Sequence, residues 1–121
     1  MKALFDSDVL IDYLLGETKA KSEIQKHTQR LISIVSWTEV MVGAKHEEEI
    51  RHCRDFLASF SIISFDQPIA EEAVRLRQIH NLKLPDAIIW ATARTADALL
   101  VTRNRKDFPK EDPGVRFPYA L

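Results

Sequence analysis

Cysteine occurs once, at Cys53, so the chain can close no internal disulfide and build no cysteine-based metal site. A free thiol on a helix is the expected state, and it suits a reducing cytoplasm. Glycine is almost as scarce, with three residues in all, and none forms a phosphate-cradling loop or flanks a serine nucleophile elbow. The four histidines, His27, His46, His52 and His80, show no ligand spacing, so each reads as a surface residue rather than as part of a zinc site. An excess of either charge is missing too: 17 Lys and Arg face 18 Asp and Glu, for a formal net charge of −1. No global field therefore attracts a polyanion, and any nucleic-acid contact must be local. The opening MKALFDSDVLIDYLL has acids inside its apolar stretch, which excludes a signal peptide and a membrane span. A soluble protein of the cytoplasm, with no membrane contact, is the expectation.

What is present is apolar mass in short pieces. With 121 residues and 45% hydrophobic content, the whole span 1–121 forms one domain large enough to bury a core unaided. Apolar runs at Lys2–Phe5, Leu31–Val35, Ser61–Phe65 and Ala98–Thr102 predict buried strands, and Val115–Phe117 adds a candidate edge strand. Between them, helical length and period recur at Asp8–Leu15, Thr18–Thr28, Trp37–Ala44, Glu47–Ser59, Pro68–His80 and Pro85–Ala96. Alternating strands and helices favour an α/β fold, a parallel sheet with right-handed crossovers and helices on both faces. The unbroken apolarity of the strand segments agrees with burial on both sides.

Reacting groups in such sheets collect beyond the carboxyl ends of the strands. Asp6 directly follows the first predicted strand, Glu39 lies one helical turn after the second, Asp86 opens the last long helix, and Asn104 follows the fourth strand. Each also has a purely structural explanation. Ser36-Trp37-Thr38-Glu39 has the form of a capping box. Pro85-Asp86 suits a first helical turn, and Asp6, Ser7 or Asp8 could cap the first helix. The run Asp6-Ser7-Asp8 nevertheless holds more acids than one cap needs. Several carboxylates on one sheet edge would repel one another unless a cation sat among them. Oxygen donors of this kind select hard divalent ions such as Mg²⁺ or Mn²⁺, which points to metal-assisted hydrolysis.

Four stretches in this order, LFDSDVLIDYL, SWTEVMVGA, ISFDQPIAEEAVRLR and LPDAIIWATARTADALLVTRNRKDF, resemble the PIN-domain ribonucleases, and within them the VapC-type toxins of toxin–antitoxin pairs. The resemblance runs along nearly the whole chain. It implies a three-layer α/β fold with a central parallel sheet flanked by helices, an Mg²⁺- or Mn²⁺-dependent endoribonuclease activity on RNA, a homodimer, and inhibition by a cognate antitoxin protein. Carried over by position, the family's three acids fall on Asp6, Glu39 and Asp86, which are the implied metal ligands and catalytic residues. The fourth position falls on Asn104, where many members carry aspartate. Asn104 can orient water but brings no charge, and Asp107, three residues on, either compensates or is an exposed loop acid.

Arg103, Arg105 and Lys106, with Lys110 close behind, could bind substrate phosphates beside this edge, or could be solvated loop charges. Trp37 and Trp90 lie in apolar helical segments and read as core or interface rather than as base-stacking platforms. The first helix is apolar around most of its circumference through Val9, Leu10, Ile11, Tyr13, Leu14 and Leu15, which favours a second apolar partner beyond the sheet. Two other readings compete. LFDSDVL also resembles the D-x-D opening of haloacid-dehalogenase-like phosphatases, with Asp6 as nucleophile and Asp8 as acid, although Leu10 departs from that pattern and no late aspartate pair follows. A non-catalytic PIN-like binding module is the other.

Overall fold

A computed structural model describes residues 2–121. The central strand β1 (Lys2–Phe5) is followed by helices α1 (Ser7–Leu14) and α2 (Thr18–Gln25). Strand β2 (Gln29–Ser33) leads into α3 (Ile34–Val42) and α4 (Glu47–Ala58). Strand β3 (Ser61–Ile63), helices α5 (Gln67–His80) and α6 (Leu84–Thr95), β4 (Leu99–Val101) and β5 (Val115–Arg116) complete the order. The sheet order is β3-β2-β1-β4-β5, with every neighbouring pair parallel. β1 aligns Leu4 with Leu31 on one side and with Leu100 on the other.

The strand periodicity of two divides the core. Leu4 and Leu100 face α5 and α6, where Ile69, Leu76, Ile89 and Trp90 fill one layer. Ala3, Phe5 and Val101 face the opposite layer, built from Val9 and Leu10 of α1, Ile24 of α2 and Leu57 of α4. The result is the three-layer α/β arrangement expected of the sequence. From β1 the chain first builds outward to β3, then returns to the other side of β1 as β4. That reversal makes the gap beyond the carboxyl ends of β1 and β4 the switch point, the place where such sheets open a crevice.

Element starts follow local chemistry. The Asp6 carboxylate caps α1 by accepting from the Ser7 amide at 2.7 Å, and Asp66 caps α5 by accepting from the Ile69 amide at 3.1 Å. Asn81 ends α5 in the left-handed region at φ 55°, a conformation that asparagine tolerates better than most residues.

Two expectations shift here. The predicted strand Leu31–Val35 ends at Ser33, and the helix predicted at Trp37–Ala44 begins at Ile34. The cap is the Ser33 hydroxyl, which accepts from the Val35 amide at 3.0 Å. Ser36 therefore lies inside the first turn, and the capping-box reading of Ser36 to Glu39 is wrong. The third strand is also shorter than predicted, stopping at Ile63 and leaving Phe65 exposed. The first error arises because β-branched and apolar residues at a strand–helix junction satisfy either period.

Candidate active site

Asp6, Glu39, Asp86 and Asn104 all leave the carboxyl edge of the sheet, as their positions predict, but each is held differently. Asp6 is buried. Its carboxylate accepts from the Ser7 amide and, through Oδ2, from the Thr102 hydroxyl at 2.7 Å. The Thr102 oxygen itself accepts from the Asn104 amide at 3.1 Å, and its single proton serves Asp6 in preference to Asp8 Oδ2, which lies at 3.5 Å. Glu39 projects from α3 back to α1, where Ser7 Oγ lies 2.5 Å from Glu39 Oε1 and 3.1 Å from Ser36 Oγ. One hydroxyl carries one proton. The carboxylate is the stronger acceptor, so Ser36 supplies the proton of the second contact. Buried Ser36 and Ser7 thus aim Glu39 at the α1 start, the work its supposed capping role had hidden.

Asp86 stands in the first turn of α6, where Lys83 offers no side-chain cap. Asn104 and Asp107 form a reciprocal pair: Asn104 Nδ2 donates to Asp107 Oδ2 at 2.9 Å, and the Asp107 amide donates to Asn104 Oδ1 at 3.2 Å. Asp107 is therefore fixed by Asn104 and is no free loop acid.

The electrostatics of this edge are those of crowded anions. Burial, and next the charge of Asp8, push the Asp6 carboxyl up from its ordinary 3.8 to about 8, with a smaller push from Asp86. Asp86 is also raised, by burial first and then by Asp107 and Glu39. Asp8 is raised mainly by burial, against the opposing hydrogen bond from the Arg103 amide. Its Oδ2 accepts that bond at 3.1 Å, while its Oδ1 is buried with no hydrogen-bond partner among the described residues. Also among the described residues, no three Asp, Glu, His or Cys side chains already stand around one point at ligating separation. The carboxylates feel one another without having closed together, as repulsion dictates. A donor set made of oxygens, with one buried oxygen unpartnered and several carboxyls held above their ordinary range, fits a hard divalent cation.

Several residues depart from the sequence reading. Arg103 was expected among the phosphate contacts, yet its guanidinium is paired with buried Asp12, Nε to Oδ2 at 2.8 Å and the terminal nitrogen to Oδ1 at 3.0 Å. Arg105 and Lys106 remain exposed, with the Arg105 guanidinium 5.0 Å from the Phe117 ring centre. His27, expected at the surface, is buried between Glu23, 2.9 Å away, and the edge of Phe5. Trp90 is fully buried against Phe108, and Trp37 is half-buried beneath Arg54, in keeping with their reading as packing residues. The expected need for a partner along α1 shrinks, because Tyr13 stacks on Phe56 with ring centres 4.3 Å apart and Val9 and Leu10 enter the core. Ile11 on that helix and Leu15 just past its end stay exposed.

Sequence reading did not assign Ser7, Asp12, Thr102 or Tyr119 to this region. Asp12 had a readable signal, since it lies four residues after Asp8 and hence on the same helical face. Thr102 had one too, since it directly follows β4, whereas Tyr119 had none, because its partner is 107 residues away.

Comparison with known proteins comes to bear on this geometry. The PIN domain family model matches residues 3–111, while no curated protein matches the chain. Among solved structures, the chain superposes with TM-score 0.93 and 48% identity on a chain of a toxin–antitoxin complex from Klebsiella pneumoniae, covering 98% of this chain and 99% of that one. VapBC2 from Rickettsia felis, bound to a DNA fragment from their promoter, gives TM-score 0.76 and 22% identity over 95% of this chain and 96% of that one. DNA-bound VapBC from Salmonella typhimurium gives 0.78 and 18% over 96% of each. At those identities the latter two speak to the fold alone.

Proposed function

We propose, on the premise that this chain belongs to the PIN-domain family, that it is a VapC-type toxin: a divalent-metal-dependent endoribonuclease restrained by a cognate antitoxin. The observation that carries this reading is the group of carboxylates at the switch point, where Asp6 and Asp86 are held above the ordinary carboxylate range by burial and by neighbouring acids. Such an arrangement is unfavourable in an empty scaffold and favourable around a cation. The 48% identity to a chain of a toxin–antitoxin complex supports the toxin role. Membership of the family leaves the phosphatase reading without support.

In this reading Asp6, Glu39 and Asp86 would hold Mg²⁺ or Mn²⁺, and the Asn104–Asp107 pair would add oxygen donors at the same edge. The bound ion supplies Lewis-acid neutralisation of phosphoryl charge and acidifies water for in-line attack. The chain's own residues do the rest. Thr102 and the Ser7 amide keep the Asp6 carboxylate oriented. Ser7 and Ser36 hold Glu39 toward the same edge, where it can accept a proton from the attacking water. Asn104 fixes Asp107, adding negative charge beside Asp86 that asparagine itself lacks. Arg105 and Lys106, exposed in the loop after β4, contact phosphates of the RNA and position it without reading sequence.

A groove of about 330 Å³ lined by Ile11, Leu14, Leu15, Val40 and Cys53 has Glu39 on its wall. An apolar segment of the antitoxin seated there would cover exposed Ile11 and Leu15 and close access to Glu39. Self-association as a homodimer belongs to the same reading, supported by apolar Val74, Ile79 and Leu84 left exposed on α5 and at the start of α6.

The direct test is incubation of purified protein with RNA in EDTA, Mg²⁺ or Mn²⁺, beside Asp6→Asn. Metal-dependent cleavage lost in the variant is expected. A folded protein that binds RNA and never cuts it with either metal would instead select the non-catalytic binding module.

A further inference from the structure

We propose that Asp12, Arg103 and Tyr119 form a brace that positions the Asp6 and Asp8 carboxylates, an inference that rests on the nuclease reading above. Arg103 is held at both ends. The Arg103 side chain is gripped by Asp12 of α1 through two nitrogens, while its backbone amide donates to Asp8 at 3.1 Å. The residue before it, Thr102, donates to Asp6, and the residue after it, Asn104, fixes the Thr102 hydroxyl. The Thr102 backbone is also held by the sheet, its amide donating to the Arg116 carbonyl at 3.1 Å, so the anchor acts most directly on the Arg103 amide at Asp8 and, through the adjoining residue, on the Thr102 hydroxyl at Asp6.

The anchor is built for rigidity. Asp12 is buried, at 5% exposure, and an unpaired buried carboxylate is strongly unfavourable. Both of its oxygens are matched by the planar guanidinium fork, the geometry that arginine provides and lysine does not. The Tyr119 hydroxyl donates to Asp12 Oδ2 at 2.8 Å, so the tail beyond β5 closes the arrangement from outside. A phosphate claiming Arg103 would have to strip Asp12 of its partner inside the fold. Asp12 and Asp8 share a face of α1, one turn apart, so the same helix carries both the anchor and an acid that the anchored segment holds. Asp12, Arg103 and Tyr119 are accordingly positioning residues, and none need touch substrate.

The test uses the full chain and three variants, Arg103→Gln, Arg103→Lys and Tyr119→Phe. Mn²⁺ affinity is measured by electron paramagnetic resonance titration, kcat and KM on an RNA fragment, and melting temperature in EDTA. The brace predicts that Arg103→Gln weakens Mn²⁺ binding and lowers kcat by roughly 10–100-fold, the usual effect of losing a group that orients metal ligands, with KM within about twofold. Arg103→Lys recovers part of both losses through a single contact to Asp12. Tyr119→Phe, which keeps the ring packing, loses about fivefold in Mn²⁺ affinity with KM unmoved. If Arg103→Gln does not fold, the other two variants decide alone. A raised KM for the Arg103 variants with Mn²⁺ affinity unchanged overturns the brace in favour of a phosphate contact. Unchanged Mn²⁺ affinity and kcat in Arg103→Lys and Tyr119→Phe overturns it in favour of a tail clasp with no bearing on the site. Wild-type protein that neither binds Mn²⁺ nor cleaves RNA overturns the nuclease reading, and the brace falls with it.

Discussion

Asp6 and Glu23 are both buried acids, yet their surroundings drive them in opposite directions, and the pH dependence of stability should separate them. Glu23 accepts from Arg116 at 2.6 and 2.9 Å. That bond, opposed by burial and aided by His27, holds its carboxyl near 2 instead of 4.5. Its contribution, on the order of 2–3 kcal/mol, is fully present above pH 4.5 and is lost as pH falls through about 2. Asp6 works in reverse. With its folded value about 8 against 3.8, the native state binds the extra proton, so metal-free stability should fall as pH rises from about 4 to 8. Urea unfolding in EDTA from about pH 2 to 8 should show both limbs, with Glu23→Gln flattening the acid limb and Asp6→Asn the neutral one. Unchanged limbs in these variants would mean that neither group governs its window. Asp86→Asn extends the logic to the site. It should abolish cleavage, leave the EDTA melting temperature unchanged or higher, and shrink the rise that Mn²⁺ gives the wild type by mass action. If Asp86 served only the helix dipole, the variant would lose about 0.3–1 kcal/mol and stay active.

Among the elements, α6 carries most constraint: every residue from Ala87 to Ala93 is buried, so the middle of the helix packs all round and has no solvent face to absorb a change. Trp90 is its largest member, in contact with Phe108 at the edge of the site loop. Trp90→Ala should destabilise by roughly 3–5 kcal/mol, the range for removing a buried aromatic side chain, as read by chemical denaturation. Trp37→Ala, on half-exposed α3 beneath Arg54, should cost far less. Equal losses would show that α3 is as deeply integrated as α6. Helix α1 is divided along its length. Its Asp6 end belongs to the site, its middle to the core through Val9 and Leu10, and its far end, at Leu15, to the solvent.

For the molecule as a whole, the exposed groove beside Glu39 and the near-zero net charge lead to separate expectations. Ile11→Glu and Leu15→Glu, both at exposed positions lining that groove, should leave RNA cleavage within about twofold and weaken inhibition by the antitoxin at least tenfold, since a charge would have to be buried in an apolar contact. Inhibition curves matching wild type would place the antitoxin elsewhere. Light scattering at micromolar concentration should report a dimer, and a monomer would remove self-association from the proposed function. No helix among the described residues is long and apolar enough to cross a membrane.

Much of this fold was legible because strand and helix periods repeat locally: KALF at β1 and the stretch from Glu47 in α4 needed no distant information. The acids at strand ends were legible for a related reason, since a parallel sheet gathers whatever follows each strand at one edge. Where two local rules agreed with the same residues, the chain alone could not choose. Ser33 and Ser36 both suit a helix start, and only the packing of Ser36 against Ser7 decided between them. His27 looked like a surface residue until Glu23 and Phe5 enclosed it. Arg103 looked like one more loop cation. Its pairing with Asp12 spans 91 residues, and a contact of that length exists only when the sheet has brought β4 beside β1. The amino-acid order therefore determined the elements, their sequence along the chain and the chemical class of the site, because these rest on short-range periodicity and on residue type. Which charges are paired inside the fold, and which stay exposed, was decided by the tertiary structure, because burial and long-range pairing set the partners of each charge.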